Sequence, residues 1–195
     1  MAFLILGLLL FLGIHSCGYL AENCRNQCVA KMGPLPWKLL YTLVSFAGLA
    51  LIVWGYGQAR LEPQWLWISP VWTRHLAALL TLPAFILLAA AYVPGTFIKA
   101  RVGHPMLLGV KFWAIAHLLA NGTLADLLLF GGFLAWAVLG FAVSRRRDRR
   151  DARVYPPVSP LRDLLALVLG LVLWAVFAMV LHKLLIGVAP FARAM

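Results

Sequence analysis

The chain has 195 residues, of which 64% are hydrophobic and 12% charged, and its 17 Lys and Arg outnumber 6 Asp and Glu to give a net charge of +11. Soluble domains average about 45–50% apolar and about 25% charged residues, so this composition excludes a water-soluble fold. The abundance of Leu, Val, Phe and Trp excludes a disordered chain. What remains is an integral membrane protein whose length suits one domain over residues 1–195.

Six apolar stretches follow one another along the chain. A helix of about 20 apolar residues crosses the hydrocarbon core and satisfies its own backbone hydrogen bonds there. We therefore predict an all-α integral membrane protein, a bundle of six transmembrane helices. The predicted spans are residues 2–20, 37–57, 75–93, 105–120, 124–143 and 161–187.

A tight turn separates the fourth span from the fifth. Asn121 and Gly122 interrupt the apolar pattern, which predicts an antiparallel helical hairpin at this point. Thr123 is followed three positions later by Asp126, a spacing typical of the capping pair that starts a helix. We interpret Asp126 as structural rather than catalytic.

Basic residues are distributed unequally between the two sides of the predicted bundle. Thirteen of the 17 Lys and Arg lie in or beside the connections between spans one and two, three and four, and five and six. The other four are Arg60, Arg74, Lys183 and Arg193. Because cytoplasmic loops are rich in Lys and Arg, the orientation predicts periplasmic termini in a bacterial inner membrane.

The densest basic run extends from Arg145 to Arg153. We interpret it as a topology determinant that also contacts anionic lipid headgroups. Nucleic-acid binding is disfavoured because the run has no interleaved aromatic residues to stack on bases, and Asp148 and Asp151 dilute its charge.

Few residues offer conventional acid–base chemistry. Glu22 and Glu62 are the only glutamates in the chain, which argues against a paired-carboxylate mechanism. The cysteines Cys17, Cys24 and Cys28 fall in a reducing compartment by the predicted topology and lack a CxxC spacing. Inert thiols are therefore favoured over a thiolate metal site.

Two histidines, His15 and His117, lie well inside apolar spans, where an ionisable side chain indicates function. At about 1.5 Å per residue they differ in depth by roughly 8–10 Å. That offset is compatible with two imidazoles binding opposite faces of one haem. The alternative is that both rings simply hydrogen-bond within helix contacts.

The fourth span presents His117 on one helical face. Trp113, Val110 and Met106 share that face by three- and four-residue spacing. The combination suits a flat apolar cofactor or a lipid-like substrate, and it also suits plain helix packing.

These residues resemble the signature of the NnrU family. The resemblance is strongest from His104-Pro105-Met106 through Trp113 and His117 to Asn121-Gly122, and extends to Ile14-His15-Ser16, Arg74-His75-Leu76 and Phe130-Gly131-Gly132-Phe133. It implies a polytopic membrane protein linked to denitrification and nitric oxide metabolism. The family also includes zeta-carotene isomerase, a haem b enzyme that acts on a carotenoid.

The resemblance implies a cofactor and its ligands. His117 and His15 match histidines of the isomerase, which points to haem b held by these two residues, with Trp113, Met106 and His75 as further cofactor-binding candidates. An isoprenoid-like lipid is the implied substrate. Ala114 stands where the isomerase has a cysteine that changes iron ligation, so the isomerase mechanism itself is not implied.

Two other functions stay open at this stage. A non-enzymatic accessory or assembly factor is consistent with the lack of a nucleophile or acid–base constellation. A membrane methyltransferase is weakly suggested by the spacing of His104, Pro105 and Gly109, although Gly103 replaces the arginine of that motif. If His117 does not bind haem, His75 and His182 are the next candidates.

Overall fold

The computed structural model describes residues 1–156 and 158–191, and all regular elements within them are helices. In chain order they are α1 (Ala2–Ser16), α2 (Glu22–Met32), α3 (Pro34–Ala59), α4 (Trp72–Tyr92), α5 (Phe97–Val102), α6 (Pro105–Ala120), α7 (Leu124–Arg150) and α8 (Pro160–Val176), then a π-helical turn (Phe177–Leu181) and α9 (His182–Ile186).

Four of these segments are long and apolar enough to cross a membrane. They are Pro34–Ala59, Trp72–Tyr92, Leu124–Arg150 and Pro160–Ile186. The remaining two predicted spans are the shorter apolar helices α1 and α6, of 15 and 16 residues. At about 1.5 Å per residue each reaches roughly 23 Å, less than the usual hydrocarbon thickness of about 30 Å. The all-helical membrane fold is confirmed, and the count of six spans stays a prediction.

Helix α7 extends further than its apolar pattern predicts. The sequence suggested an end near residue 143, but the helix continues through the arginines to Arg150. Arginine is a good helix former, and cations in the last turn interact favourably with the helix dipole. The Arg147 side chain also contacts Glu22 of α2 at 3.2 Å, which holds the extension against a neighbouring element.

Glycines bring α1 and α3 into backbone contact. Cβ atoms added at Gly7 and Gly48 would lie 2.6 Å from the Ile52 nitrogen and 2.8 Å from the Phe11 nitrogen. One added at Gly55 would overlap the Leu4 backbone. The contacts pair early residues of α1 with late residues of α3, so the two helices are antiparallel.

A second group of helices packs in the same way. A Cβ at Gly109 of α6 would lie 2.9 Å from the Ala84 carbonyl of α4, and one at Gly170 of α8 would lie 2.6 Å from the Ile86 Cα. Helix α7 packs between the two groups and contacts both α1 and α6. Small residues at such contacts are typical of helix packing in membranes.

The long helices alternate in direction, so the bundle has two distinct ends. At the turn end, the α3–α4 connection, the α6–α7 turn and the end of α9 come together, and Arg60 donates a hydrogen bond to the Ile186 carbonyl at 2.9 Å. At the arginine end lie α2, α5 and the α7–α8 connection. Most of the basic residues that the sequence analysis assigned to the cytoplasmic side lie at or near the arginine end. Arg193, assigned to the opposite side, lies outside the described residues.

Asp148 organises the arginine end, although the sequence suggested only that it dilutes the basic run. Its buried carboxylate accepts hydrogen bonds from His104 Nε2 at 2.9 Å, the Tyr155 hydroxyl at 2.9 Å and Arg153 at 3.3 Å. These bonds tie the start of α6 to the α7–α8 connection. Burial lowers the pKa of His104, and the nearby carboxylate opposes this effect only in part.

Candidate cofactor site

A cavity of about 710 Å³ lies between α4, α6, α8 and the C-terminal segment, residues 187–191. Its volume is within the range of about 300–1,000 Å³ that small-molecule and cofactor sites occupy. Its wall is mainly apolar, with Phe85, Leu88, Val110, Trp113, Trp174 and Phe177 among the larger side chains.

Small residues create this space. Ala77, Ala78 and Ala84 line it from α4, and Gly109 lines it from α6. Ala84 and Gly109 are also where the backbones of α4 and α6 approach closely, so this helix contact borders the cavity. The alanines nearer the turn end leave room that larger side chains would fill.

His117 lines the cavity from α6 and is held in one orientation. Its Nδ1–H donates to the Trp113 carbonyl of the preceding turn at 2.8 Å. The ring stacks on Phe130 at a centroid distance of 4.6 Å and also contacts the Trp113 indole. Among the described residues no hydrogen bond occupies Nε2, so the lone pair of that nitrogen is available to a ligand.

His182 lines the same cavity from α9. Its Nδ1–H donates to the Val188 carbonyl at 2.7 Å, and its ring meets Phe177 edge-on. Gly187 has a φ of +77°, a conformation that favours glycine and ends α9. The chain then turns so that residues 187–191 also line the cavity.

Polar groups lie towards the turn end of the cavity. Arg74, at the start of α4, contributes a guanidinium group. Asp126 is the one carboxylate in the described lining, and both its oxygens are engaged: Oδ2 accepts from Thr123, and Oδ1 accepts from the Tyr56 hydroxyl at 2.5 Å. The predicted capping pair of Thr123 and Asp126 is confirmed. The Asp126 carboxylate thus has a structural role, as the sequence predicted.

The α3–α4 connection is fastened to the α6–α7 turn beside the cavity. The amides of Leu66 and Trp67 donate to the Gly122 carbonyl at 2.8 and 3.1 Å, and Leu124 donates to the Gln64 carbonyl. A Cβ at Gly122 would overlap the Trp67 carbonyl, so this approach requires glycine. The Trp65 side chain lines the cavity as a result.

Three of the four residues on the predicted face of α6 line the cavity. His117, Trp113 and Val110 line it, whereas Met106 begins α6 at the arginine end and is 38% exposed. His75 is exposed and does not belong to the lining, although its neighbour Arg74 does. The helical spacing thus located one wall, but not the residues that face it from other helices.

His15 lies in a different environment from His117. Its ring stacks on Phe11 at 4.2 Å and contacts Tyr41 and Trp136, so it belongs to the contact of α1 with α3 and α7. It is not among the described residues of the cavity lining. Phe11, Phe133 and Trp113 form a chain of ring contacts between the two histidines.

The sequence model of one family, described as NnrU protein, matches residues 3–190. The chain belongs to the NnrU family. The match confirms the resemblance, and it covers α2 to α9, all of α1 except Ala2, and every described residue of the cavity lining except Phe191. Comparisons with curated proteins and with solved structures found no match to this NnrU-family chain.

Proposed function

We propose that this NnrU-family protein binds haem b in the cavity, where the imidazole of His117 would hold its iron. The observation that carries the proposal is a histidine with Nδ1 bonded to a carbonyl and Nε2 available, facing a largely apolar space of about 710 Å³. Iron-binding histidines commonly have their other ring nitrogen tied in this way.

The remaining lining fits a flat apolar group with acidic substituents. Trp113, Phe85 and Leu88 supply apolar contacts. The short side chains of Ala77 and Ala78 project little into the cavity, so the wall they form suits a flat group. Arg74, at the turn end, is the cation that would pair with the propionate carboxylates. The described residues therefore provide a ligand, an apolar wall and a counter-ion.

The described lining supports cofactor chemistry better than side-chain acid–base chemistry. Its single carboxylate, Asp126, is fully hydrogen-bonded. When bound, haem supplies redox and Lewis-acid chemistry that such a lining lacks. We propose that the protein acts in nitric oxide or nitrite metabolism, or in redox or isomerase chemistry on an isoprenoid-like lipid, and that it resides in a bacterial inner membrane.

We also propose that the arginine end faces anionic lipid headgroups. Arg147, Arg150 and Arg153 have carboxylate contacts within the chain, with Glu22, Asp151 and Asp148 respectively. The Arg147 and Arg150 pairs are exposed at least in part, and such pairs are weak and leave much of the positive field of the run in place.

An absorption spectrum of the detergent-purified protein, oxidised and reduced and supplemented with haem, tests the main proposal. We expect a Soret band and about one haem per chain, and a His117→Ala variant should lose most of the bound haem. His75→Ala, an exposed histidine outside the lining, is the matched control and should keep the wild-type spectrum. A wild-type protein that never shows a Soret band would contradict haem binding and favour the accessory function.

A further inference from the structure

The π-helical turn between α8 and α9 determines which face the last residues present. A π-turn accommodates one extra residue, and one residue corresponds to about 100° of rotation around a helix. Everything after Phe177–Leu181 is therefore rotated relative to a continuous α-helix. Such turns occur frequently at functional sites. Here the first residue beyond the turn is His182, and it lines the cavity.

The two cavity histidines are presented in the same chemical form. In His182, as in His117, Nδ1–H is bonded to a backbone carbonyl, at 2.7 and 2.8 Å respectively. This bond fixes the tautomer in which Nε2 carries the lone pair. Each ring is also held by an aromatic neighbour, Phe177 for His182 and Phe130 for His117.

We infer that His182 is a second residue that would hold the iron of the cofactor, together with His117 of the same cavity lining. The inference rests on the proposed haem site. It differs from the pairing of His117 with His15 that the family resemblance implied. His15 has the same kind of Nδ1 bond, to the Phe11 carbonyl at 2.7 Å, so tautomer alone does not separate the candidates. Location separates them, because His15 lies among Phe11, Tyr41 and Trp136 instead of along the cavity.

The orientation of the His182 ring depends on how the C-terminal segment folds. The carbonyl that orients His182 belongs to Val188, and it reaches the ring because Gly187 adopts a positive φ. Residues 187–191 continue along the cavity, and Phe191 contacts Trp174 at 6.1 Å between ring centroids.

Optical and electron paramagnetic resonance spectra of the haem-loaded protein test the inference. Two imidazole ligands give six-coordinate, low-spin iron in the wild type. His182→Ala should retain haem through His117 but become high-spin, and added imidazole should restore the low-spin spectrum. His15→Ala and His75→Ala should remain low-spin.

A second variant, His182→Met, distinguishes loss of a ligand from loss of folding. His182→Met keeps a ligand at this position, and His/Met ligation raises the reduction potential of haem iron. We expect a low-spin spectrum with a potential above that of the wild type, whereas substitution at a non-ligating position would leave the potential unchanged. Circular dichroism establishes that each variant is folded.

The outcomes separate the two proposals. Wild-type protein without haem would remove the proposed function itself. Wild-type protein with haem but an unchanged low-spin spectrum and potential in both His182 variants would overturn only the assignment of His182. Loss of the low-spin spectrum in His15→Ala, but not in His182→Ala, would assign the second ligand to α1.

Discussion

The contact of α1 with α3 and the group formed by α4, α6 and α8 use the same packing device with different results. In both, glycines let helix backbones touch, through Gly48 and Gly55 in the first and Gly109 and Gly170 in the second. Around His15 lie the aromatic rings of Phe11, Tyr41 and Trp136. Beside His117 it is bordered by alanines and remains a cavity of about 710 Å³.

A partly buried histidine inside an apolar helix therefore indicates function only in combination with the volume around it. His15 and His117 have equivalent bonds to the carbonyl four residues earlier, at 2.7 and 2.8 Å. One ring contacts Phe11 and Trp136 outside the cavity lining, and the other faces space that a ligand could fill. Substitutions at the α1–α3 contact should therefore change stability, and substitutions along the cavity should change ligand binding.

The largest effect on stability should come from Gly55→Ala. The new Cβ would overlap the backbone of Leu4, which cannot move without displacing α1. Overpacking of this kind costs about 1–3 kcal/mol and occasionally more. The thermal unfolding midpoint in detergent should therefore fall.

Gly57→Ala is the matched control for that substitution. A Cβ at Gly57 meets nothing within 4 Å, and Ala has the higher helix propensity, so its midpoint should be unchanged or higher. Equal midpoints for the two variants would mean that the α1–α3 contact is not close-packed.

Ala78→Phe should fill the cavity and weaken haem binding while leaving the α1–α3 region intact. Displacing the cofactor or straining the wall should cost about 1–3 kcal/mol, or roughly 5- to 150-fold in affinity. Haem titration followed at the Soret band measures this effect. Ala135→Phe, on an exposed face of α7, adds the same side chain away from the cavity and should bind haem like the wild type. Equal affinities in both variants would argue for a different binding site.

Asp126→Asn should destabilise the turn that joins α6 to α7 beside the cavity. One carboxylate oxygen accepts from Thr123 and the other from the Tyr56 hydroxyl. Asn keeps one acceptor oxygen and replaces the other with a donor, and a lost hydrogen bond of this kind costs about 0.5–1.5 kcal/mol. Chemical unfolding in mixed micelles measures the change. Asp151→Asn removes an exposed carboxylate paired with Arg150 and should have little effect. A larger loss for Asp151→Asn would contradict this account.

The smallest effect concerns pH and the arginine end. Burial keeps the pKa of His104 below its ordinary value, so the unfolded chain binds more protons than the folded one as pH falls below about 6.5. This contribution to stability is complete above that pH and is lost as pH falls through the lower, folded-state pKa. The unfolding midpoint should therefore decrease between pH 7.5 and 5.

His104→Gln should make that decrease shallower, whereas His75→Gln, at an exposed position, should leave its slope unchanged. If the slope were the same in His104→Gln, other groups would account for the pH dependence.

The sequence predicted the helices best where the controlling interactions are local. The bounds of α6 agree at both ends, since Pro105 suits a first helical turn and Asn121 ends the apolar pattern. The capping of α7 by Thr123 and Asp126 follows from a three-residue spacing. Two short helices, α2 and α5, and the π-helical turn were not predicted, because none of them is a long apolar run.

The candidate site was predicted in part for the same reason. Trp113 and His117 share a helical face, so spacing alone places them together. Arg74 and His182 reach the cavity from other helices, and nothing in their local sequence distinguishes them from His75 or Lys183. The role of Asp148 could not be predicted either, since its partners His104 and Tyr155 belong to separate segments.

Hydrophobicity by itself determined that this chain is a helical membrane protein, because hydrocarbon leaves the backbone no other partner for its hydrogen bonds. Family membership and the position of the basic residues were also readable along the chain. Which histidine faces a cavity was decided only by the tertiary structure. Free volume depends on how helices distant in sequence approach one another, and here glycine contacts, a π-turn and the return of residues 187–191 set that approach.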